Sequence, residues 1–321
     1  MNKMTWKSWL LLAALAVGTV LVVKHDGATW HTNHGRVFGT LYTATYQSNG
    51  DLQPLIEARM AEVDRSLSPF NASSVISRIN RGESTATDSL FRHVFRKAVA
   101  VNALTHGAFD ITVAPLVNAW GFGFREAGNV TPAAIDSLMA FVGMDKVRLL
   151  DDGTIEKDDE RLMLDCSAIA KGFGSDHVAA LFDSLGIQNY MIEIGGEIVV
   201  RGHNSKGGAW RIGVNKPLDD SLSLSQDLDT ILTLTDCAMA TSGNYRNFYV
   251  KDGKKYAHTI DPHTGYPVQH SVLSATVIAP TCMEADAFAT ACMVMGADSA
   301  RAIAQRQPEL QIYLITDETA E

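Results

Sequence analysis

The sequence predicts an α+β protein with mixed, largely antiparallel sheets and packed helices. Segments typical of strands and of helices are intermixed without the regular strand–helix–strand alternation of a doubly wound sheet. The 321 residues, 46% apolar and 20% charged, have an ordinary globular composition and supply enough chain for a large core. Because no repeat or break in composition marks a linker, residues 36–321 are predicted to form one domain.

Local patterns predict the first elements of this domain. The Thr, Tyr and Val content of residues 37–46 is typical of a strand. Apolar residues at helical spacing predict helices over 52–67 and 90–105. Thr131 stands before a proline, as an N-cap residue does, and predicts a third helix over 132–142.

The same patterns predict the remaining elements. Further helices are expected over 169–185, 283–295 and 297–307. Further strands are expected over 147–150, 161–164, 190–194, 197–201, 210–214, 229–235, 248–250, 272–278 and 310–315.

The N-terminal segment has the charge pattern of an export signal. Lys3 and Lys7 precede an apolar run over 9–23, and no cysteine follows it that could carry a lipid. The run is short for a membrane span, so both a cleaved signal peptide and an uncleaved anchor stay open. Residues 1–35 are therefore predicted to be a signal or anchor with a polar tether over 24–35. We expect the body to lie on the periplasmic side of the cell inner membrane.

Charge and cysteine usage argue against two classes of protein. The net charge of −9 argues against nucleic-acid binding, which needs Lys and Arg to replace phosphate counterions. The absence of a CxxC pair argues against a zinc ribbon or a thioredoxin-type site. The cysteines lie in apolar stretches, which favours buried free thiols over disulfides: Cys166, Cys237, Cys282 and Cys292.

Two segments suit a phosphate and a hard cation. Asp165 ends a predicted strand before a turn of small residues and a helix carrying Lys171, and the free N–H groups of a helix start can bind phosphate. Asp286 and Thr290 are spaced i, i+4 on one helix face, where oxygen ligands suit Mg²⁺. Each segment also has an ordinary structural explanation, as an N-cap with a helical lysine or as a buried Asp–Thr hydrogen bond.

Three further segments could complete such a site. The glycine pair 195–196 between Glu193 and Glu197 allows either a close backbone approach or a tight hairpin. His258 begins a rigid loop over 258–267 and could act as a base, a phosphate ligand or a structural residue. The aromatic segments 107–112 and 120–123 could receive a flat ring or form a buried cluster. Together the segments indicate metal-assisted chemistry on a phosphorylated aromatic ligand.

Several motifs resemble those of a known family, in that family's order. They are FGT at 38–40, SRIN at 77–80, GAFDITVAPLVNAWGFG at 107–123, DCSAIAKGF at 165–173, EIGGEI at 193–198, ATSGNYRN at 240–247, HTIDPHTGYP at 258–267 and EADAFAT at 284–290. In them the chain resembles the ApbE-type FAD:protein FMN transferases. The resemblance implies an ApbE or T-fold-like body and Mg²⁺-dependent transfer of FMN from FAD to a threonine of an acceptor protein, with release of AMP.

The resemblance also implies roles for individual residues. Mg²⁺ is expected at the Ala168 carbonyl, Asp286 and Thr290, and His258 and Asp286 are expected to be catalytic. Flavin contacts are expected from Phe38, Phe70, Ala108, Phe109, Asp110, Asp165, Lys171 and Ile260. The sequence departs from the family at Phe38, where methionine is usual, and at Phe70, where tyrosine or tryptophan is usual.

Partners and alternatives also follow from the resemblance. The implied acceptor is a membrane redox-pump subunit or an exported flavoprotein, and no nucleic acid is expected. One alternative is an FAD pyrophosphatase, in which water replaces the threonine at the same site. The other is an exported flavin-binding protein without turnover.

Overall fold

A seven-stranded antiparallel sheet forms the centre of the structure, a computed structural model that describes residues 28–123, 130–216, 228–244, 248–251 and 254–317. The strands are β1 (Thr29–Val37), β2 (Thr40–Ser48), β3 (Val147–Leu149), β4 (Ile155–Lys157), β5 (Tyr190–Ile194), β6 (Glu197–Arg201), β7 (Trp210–Asn215), β8 (Leu228–Leu234), β9 (Cys237–Gly243), β10 (Phe248–Lys251), β11 (Lys254–Ala257), β12 (Val272–Ala279) and β13 (Gln311–Thr316). The order in the large sheet is β1-β2-β5-β6-β9-β12-β13, and β3–β4, β7–β8 and β10–β11 form separate hairpins.

The helices are α1 (Gln53–Leu67), α2 (Val75–Asn80), α3 (Ser89–Leu104), α4 (Ala114–Ala119), α5 (Pro132–Met139), α6 (Ala170–Ser184), α7 (Cys282–Met295) and α8 (Ala297–Arg306). Most of them share core clusters with one face of the large sheet, whereas α4 and α5 pack with Trp120 in a separate cluster. Val199 of β6 packs in the cluster that contains α6, whereas its neighbour Ile198 packs against Trp210 of the β7–β8 hairpin. Since side chains alternate along a strand, the hairpin covers the opposite face. The predicted α+β class is confirmed.

Several helix ends follow the predicted local chemistry. The Thr131 side chain accepts a hydrogen bond from the Ala134 amide, so this residue is the N-cap of α5 as predicted. Asp88 caps α3 in the same way by accepting from the Phe91 amide. The helices predicted over 52–67, 90–105, 169–185, 283–295 and 297–307 are confirmed to within a residue or two at each end.

The N-terminal boundary differs from the prediction. Residues 37–46 do not form one strand, because Phe38 and Gly39 form the turn of the β1–β2 hairpin. The described part of the predicted tether is also wrong, since residues 29–35 lie in β1. This strand is at the edge of the sheet and pairs only with β2, so its polar residues resemble a linker in sequence. The predicted signal segment lies outside the described residues.

The strand predicted over 161–164 is also wrong. The partner of β3 is β4, and residues 161–164 form an irregular segment that is buried from residue 162 onward and makes one isolated bridge, between Met163 and Val113. The side chain of Asn80 takes the place of a neighbouring strand there. Its Nδ2 donates to the Leu164 carbonyl at 2.8 Å, and its Oδ1 accepts from the Leu164 amide at 2.7 Å. The side-chain amide thus supplies the hydrogen bonds that the buried backbone N–H and C=O groups of Leu164 would otherwise need from a neighbouring strand.

Sequence patterns missed several short or buried elements, of which β9 is the most central. Its sequence, CAMATSG, lacks the alternation of a half-buried strand because β9 lies between β6 and β12 in the middle of the sheet. The others are α2, α4, β4 and β11. None of the four cysteines forms a disulfide; Cys166, Cys282 and Cys292 are buried, and Cys237 is half-buried. No helix within the described ranges is long and apolar enough to span a bilayer.

Asp176 ties α6 to the start of α7. Its carboxylate oxygens accept from the Cys282 amide at 2.9 Å and from the Met283 amide at 2.8 Å. Burial raises the pKa of Asp176 to about 6, although these two hydrogen bonds oppose the rise. The ordinary carboxyl pKa lies near 3.8. Between about pH 4 and pH 6, Asp176 is therefore protonated in the folded state and ionised in the unfolded state.

We predict that Asp176→Asn flattens the pH dependence of stability. In the wild-type chain, Asp176 makes the free energy of unfolding fall as the pH rises from about 4 to 6, and the amide cannot ionise. Urea unfolding at several pH values should therefore show a smaller fall across this window in the variant. Asp298→Asn, at a fully exposed site on α8, is the matched control. Equal slopes in Asp176→Asn and wild type would contradict the prediction.

Candidate active site

A cleft of about 520 Å³ lies where α6, α7, β9 and the loops around residues 38, 70, 110 and 260 meet. Every residue predicted from the sequence to act in the site lines this cleft. They are Phe38, Phe70, Ala108, Phe109, Asp110, Asp165, Ala168, Lys171, His258, Ile260, Asp286 and Thr290. The fold thus brings together motifs that are far apart in the chain; the roles of the individual residues stay predictions.

The turn before α6 forms one wall of the cleft. Asp165 Oδ1 accepts from the Ser167 amide at 2.8 Å and from its hydroxyl at 2.5 Å, which closes the turn. Burial raises the pKa of Asp165, and the hydrogen bonds from Ser167 oppose the rise. Ala168 precedes Ile169, the N-cap residue, so its carbonyl comes before the helical ladder of α6.

The helices α6 and α7 cross closely at Gly172. A Cβ at this position would lie 2.3 Å from the Cys282 carbonyl oxygen and 2.8 Å from Asp286 Cβ. The Gly172 amide, in the first turn of α6, donates to Asp286 Oδ2 at 3.0 Å. Asp286 is therefore a capping residue supplied by another helix, and its negative charge lies at the positive end of α6.

A second residue predicted to bind Mg²⁺ lies one turn along α7. Thr290 follows Asp286 at the i, i+4 spacing, and both residues line the cleft. The Thr290 hydroxyl lies 3.3 Å from the hydroxyl of Ser242 on β9. Ser242 was not predicted as a site residue, although it lies in the ATSGNYRN motif. Strand β9 therefore contributes hydroxyl oxygen beside the Asp286–Thr290 pair.

A buried charge cluster consists of Lys171, Glu197 and Asp286. Lys171 Nζ lies 2.6 Å from Glu197 Oε1 and 3.8 Å from Asp286 Oδ1. Burial raises the pKa of Glu197, and the Lys171 ammonium opposes the rise. Burial lowers the pKa of Lys171, but the charges of Asp286 and Glu197 raise it above its usual range. Glu197 was not predicted as a site residue. Its position directly after the glycine pair 195–196 was the sequence feature that pointed to it.

The donor set beside this cluster suits a hard cation. The side-chain carboxylate of Asp286, the hydroxyl of Thr290 and the carbonyl of Ala168 all belong to residues that line the cleft. Oxygen ligands of these three kinds are the ones that Mg²⁺ takes. No cluster of three or more His, Cys, Asp or Glu side chains suited to a metal occurs among the described residues. The residues present therefore fit magnesium through mixed oxygen ligands.

Phe38 enters the cleft from a strained turn. Phe38 and Gly39 both have positive φ, 50° and 75°, as a two-residue hairpin turn of the I′ type requires. A phenylalanine in this region is strained, which is typical of residues held for function. Its ring occupies the space that a side chain at Gly174 would need, since a Cβ there would lie 2.8 Å from the ring. The Phe38 ring therefore packs against α6 and Ile194.

The loop after α3 forms the opposite wall. Ala108 and Phe109 are buried, and Asn102 Nδ2 donates to the Phe109 carbonyl at 2.8 Å. Asp110 Oδ1 accepts from the amide and the hydroxyl of Thr112, at 2.7 and 2.6 Å. Burial raises the pKa of Asp110, while the Thr112 hydrogen bonds oppose it. The loop thus presents an apolar surface beside a carboxyl group, as a heteroaromatic ring with polar edges would require.

The histidine loop is held rigidly along the cleft. Ile260 pairs with Pro267 across the loop, and Trp120 Nε1 donates to the Gly265 carbonyl at 2.8 Å. The ring of His258 lies 6.4 Å from that of Phe122, and both residues line the cleft. Trp120 is buried in a separate cluster and does not line the cleft. Of the two aromatic residues in the 120–123 segment, Trp120 therefore supports the loop and Phe122 lines the cleft.

Phe70 lies at the rim of the cleft. It follows α1 in the loop that precedes α2, and 73% of it is exposed. Asn71, the next residue, donates from Nδ2 to Asp64 of α1 at 2.6 Å, and the Ser74 hydroxyl donates to the Ser68 carbonyl at 2.7 Å. An exposed aromatic on an anchored loop is suited to contact a ligand or a partner.

We predict that Gly172→Ala damages the site through the helix crossing. The added Cβ would overlap the main-chain oxygen of Cys282, which cannot move without shifting α7. Overpacking of this kind costs about 1–3 kcal/mol or more, so denaturant unfolding should show a loss in that range. Gly186→Ala is an unsuitable control because Gly186 has positive φ; Gly208→Ala, at an uncrowded position with ordinary φ, is suitable. Unchanged stability in Gly172→Ala would contradict the prediction.

Comparison with known proteins agrees with the motifs and the fold. The sequence profile of the ApbE family matches residues 38–314. The FAD:protein FMN transferase of Vibrio cholerae is 40% identical over 324 residues, covering 97% of this chain and 95% of the relative. That of Haemophilus influenzae is 38% identical over 297 residues, covering 88% and 85%.

Solved structures show the same fold. The flavin transferase ApbE from Vibrio cholerae superposes with a TM-score of 0.82 at 37% identity, covering 91% of this chain and 95% of that one. The apo form of Pseudomonas stutzeri flavinyl transferase ApbE superposes with a TM-score of 0.79 at 29% identity, covering 91% and 92%. Both the sequence and the structure match these proteins over most of the chain. This protein therefore belongs to the ApbE family.

Proposed function

We propose that this chain transfers FMN from FAD to a threonine of an acceptor protein, with Mg²⁺ and with release of AMP. The observation that carries the proposal is that the start of α6, the Asp286–Thr290 pair and His258 line one cleft with an apolar wall. The names of the relatives in Vibrio cholerae and Haemophilus influenzae support the same reaction. The apolar wall suits the flavin ring, and the helix start suits the pyrophosphate.

The proposed reaction is a single phosphoryl-group displacement. The threonine oxygen forms a bond to the FMN phosphorus, the bond from that phosphorus to the bridging oxygen breaks, and AMP leaves with the bridging oxygen. The Lys171 ammonium and the free N–H groups at the start of α6 lie where they can stabilise the phosphate charges. Of the described histidines, His258 alone lines the cleft, so we assign to it the removal of the threonine proton.

Magnesium would be held by the Ala168 carbonyl, Asp286 and Thr290. When bound, it would neutralise pyrophosphate charge and make AMP a better leaving group. The chain itself orients these ligands, because Asp286 Oδ2 is fixed by the Gly172 amide and Thr290 follows one turn later on the same helix. Phe38 and Phe109 line the cleft with apolar surface, which would exclude water from a bound flavin ring.

The proposal predicts that Asp286→Ala abolishes FMN transfer. Loss of the carboxylate removes both a magnesium ligand and the cap of α6, so the transfer rate should fall by at least about 100-fold. The measurement is flavin fluorescence or mass of a threonine-bearing acceptor after incubation with FAD and Mg²⁺. Asp298→Ala, on the exposed face of α8, is the control. Undiminished transfer by folded Asp286→Ala would overturn the metal assignment.

The same preparation distinguishes the two alternatives. Incubation with FAD and Mg²⁺ without acceptor should release little FMN and AMP if the chain is a transferase. Release as fast as the transfer seen with acceptor would instead identify a pyrophosphatase. FAD that stays bound and intact in the presence of both Mg²⁺ and acceptor would identify a binding protein without turnover.

We further propose that the enzyme acts at the periplasmic face of the inner membrane. The support is Lys3 and Lys7 before the apolar run 9–23. The acceptor is then an exported flavoprotein or a membrane redox-pump subunit whose threonine faces the same side.

This location predicts that the full chain is digested by protease in spheroplasts whose inner membrane is intact. Changing Lys3 and Lys7 to glutamate should reduce export, because it reverses the charge on the N-terminal side of the apolar run. A cytosolic marker protein serves as the control for membrane integrity. Complete protection of the wild-type chain until the membrane is broken would contradict the location.

A further inference from the structure

Glu197 is a buried acid at the cleft wall to which the proposed reaction assigns no role. It is 3% exposed, and its Oε1 lies 2.6 Å from Lys171 Nζ. Its Oε2 has no hydrogen-bond partner among the described residues. A buried carboxylate is costly to retain, so a residue of this kind calls for an explanation beyond packing.

The main chain holds Glu197 in one place. It is the first residue of β6 and pairs with Ile194 across the two-residue turn formed by Gly195 and Gly196. Both glycines have positive φ, 65° and 106°, which a tight turn of this kind needs. The carbonyl of Glu197 also accepts from the Ser175 hydroxyl of α6 at 2.9 Å. The carboxylate therefore approaches α6 from a fixed point.

The Lys171 ammonium lies between two carboxylates at unequal distances. It is hydrogen-bonded to Glu197 at 2.6 Å, whereas 3.8 Å separates it from Asp286 Oδ1, beyond hydrogen-bond range. Asp286 Oδ2 is already bonded to the Gly172 amide. Oδ1 is thus the carboxylate oxygen of Asp286 that a cation could take, and Lys171 is the cation of the chain nearest to it among the ion pairs described.

We propose that Glu197 is a positioning residue that holds the Lys171 ammonium off Asp286 and so keeps Asp286 Oδ1 open to a divalent cation. The inference rests on the proposed function, which places the cation at Asp286. Without the Glu197 charge, Asp286 becomes the strongest remaining partner of Lys171. A lysine hydrogen-bonded to Asp286 would compete with the incoming cation for the same oxygen.

The charge balance leads to the same conclusion. When Glu197 is ionised, as its 2.6 Å contact with Lys171 Nζ favours, Lys171, Glu197 and Asp286 together carry a net charge of −1, which attracts a dication into the cleft. Removing the charge of Glu197 leaves a neutral Lys171–Asp286 pair. Since charge interactions are strong where water is largely excluded, we expect the affinity for a divalent cation to fall by about tenfold or more.

The test is Glu197→Gln in the full chain, with Mg²⁺ binding measured by calorimetry in the absence of FAD and acceptor. Glutamine keeps the shape and can accept a hydrogen bond from Lys171, but it lacks the charge. We expect the Kd for Mg²⁺ to rise by about tenfold or more, with the melting temperature nearly unchanged. Glu193→Gln is the matched control, because Glu193 is half-buried on the same hairpin and does not line the cleft.

A second variant tests whether Glu197 acts through Lys171. Lys171→Met added to Glu197→Gln should restore Mg²⁺ affinity to within about threefold of the wild type, because the competing ammonium is then absent. Equal Mg²⁺ affinity in wild type and Glu197→Gln would overturn the inference, as would a loss that Lys171→Met does not restore. Absence of Mg²⁺ binding by the wild-type chain, both alone and with FAD, would instead remove the cation from the proposed function.

Discussion

The close crossing of α6 and α7 at Gly172 is the contact on which the rest of the site depends. Because no side chain separates the helices there, the carboxylate of Asp286 reaches the first turn of α6 and caps its amide. The same approach brings Lys171 beside Asp286 and sets Thr290 along the cleft. The alanines of α7 continue this close packing toward the sheet, so the helix is buried on nearly all sides.

The site concentrates ionisable groups in a place where burial opposes their charges. Asp110, Asp165 and Glu197 all have pKa values raised by burial, and each is partly compensated by hydrogen bonds from its own loop or by Lys171. Such groups are costly to the folded state, which is typical of residues retained for chemistry. In this chain, the packing of the core behind these groups, in α3, α6, α7 and the large sheet, offsets the unfavourable free energy of burying them.

Much of the fold was predictable because it is encoded locally. Periodicity and capping residues such as Thr131 predicted the main helices, since these signals act within a few residues. The failures have a common cause, because they concern segments whose environment is set by distant residues. Strand β1 is polar because it lies at an edge of the sheet. Strand β9 shows no alternation because it lies in the middle of the sheet, and residues 161–164 do not form a strand because Leu164 pairs with the Asn80 side chain.

The sequence by itself determined the α+β class and the membership of the ApbE family, because the motifs around Asp165, His258 and Asp286 are contiguous and specific. That these motifs line a single cleft was decided by the tertiary structure alone. The tertiary structure also decided that Lys171 pairs with Glu197. From the sequence motif alone, Glu197 was only a residue next to a glycine turn. The physical reason is that charge pairing and desolvation depend on distances between elements, and no local pattern records those distances.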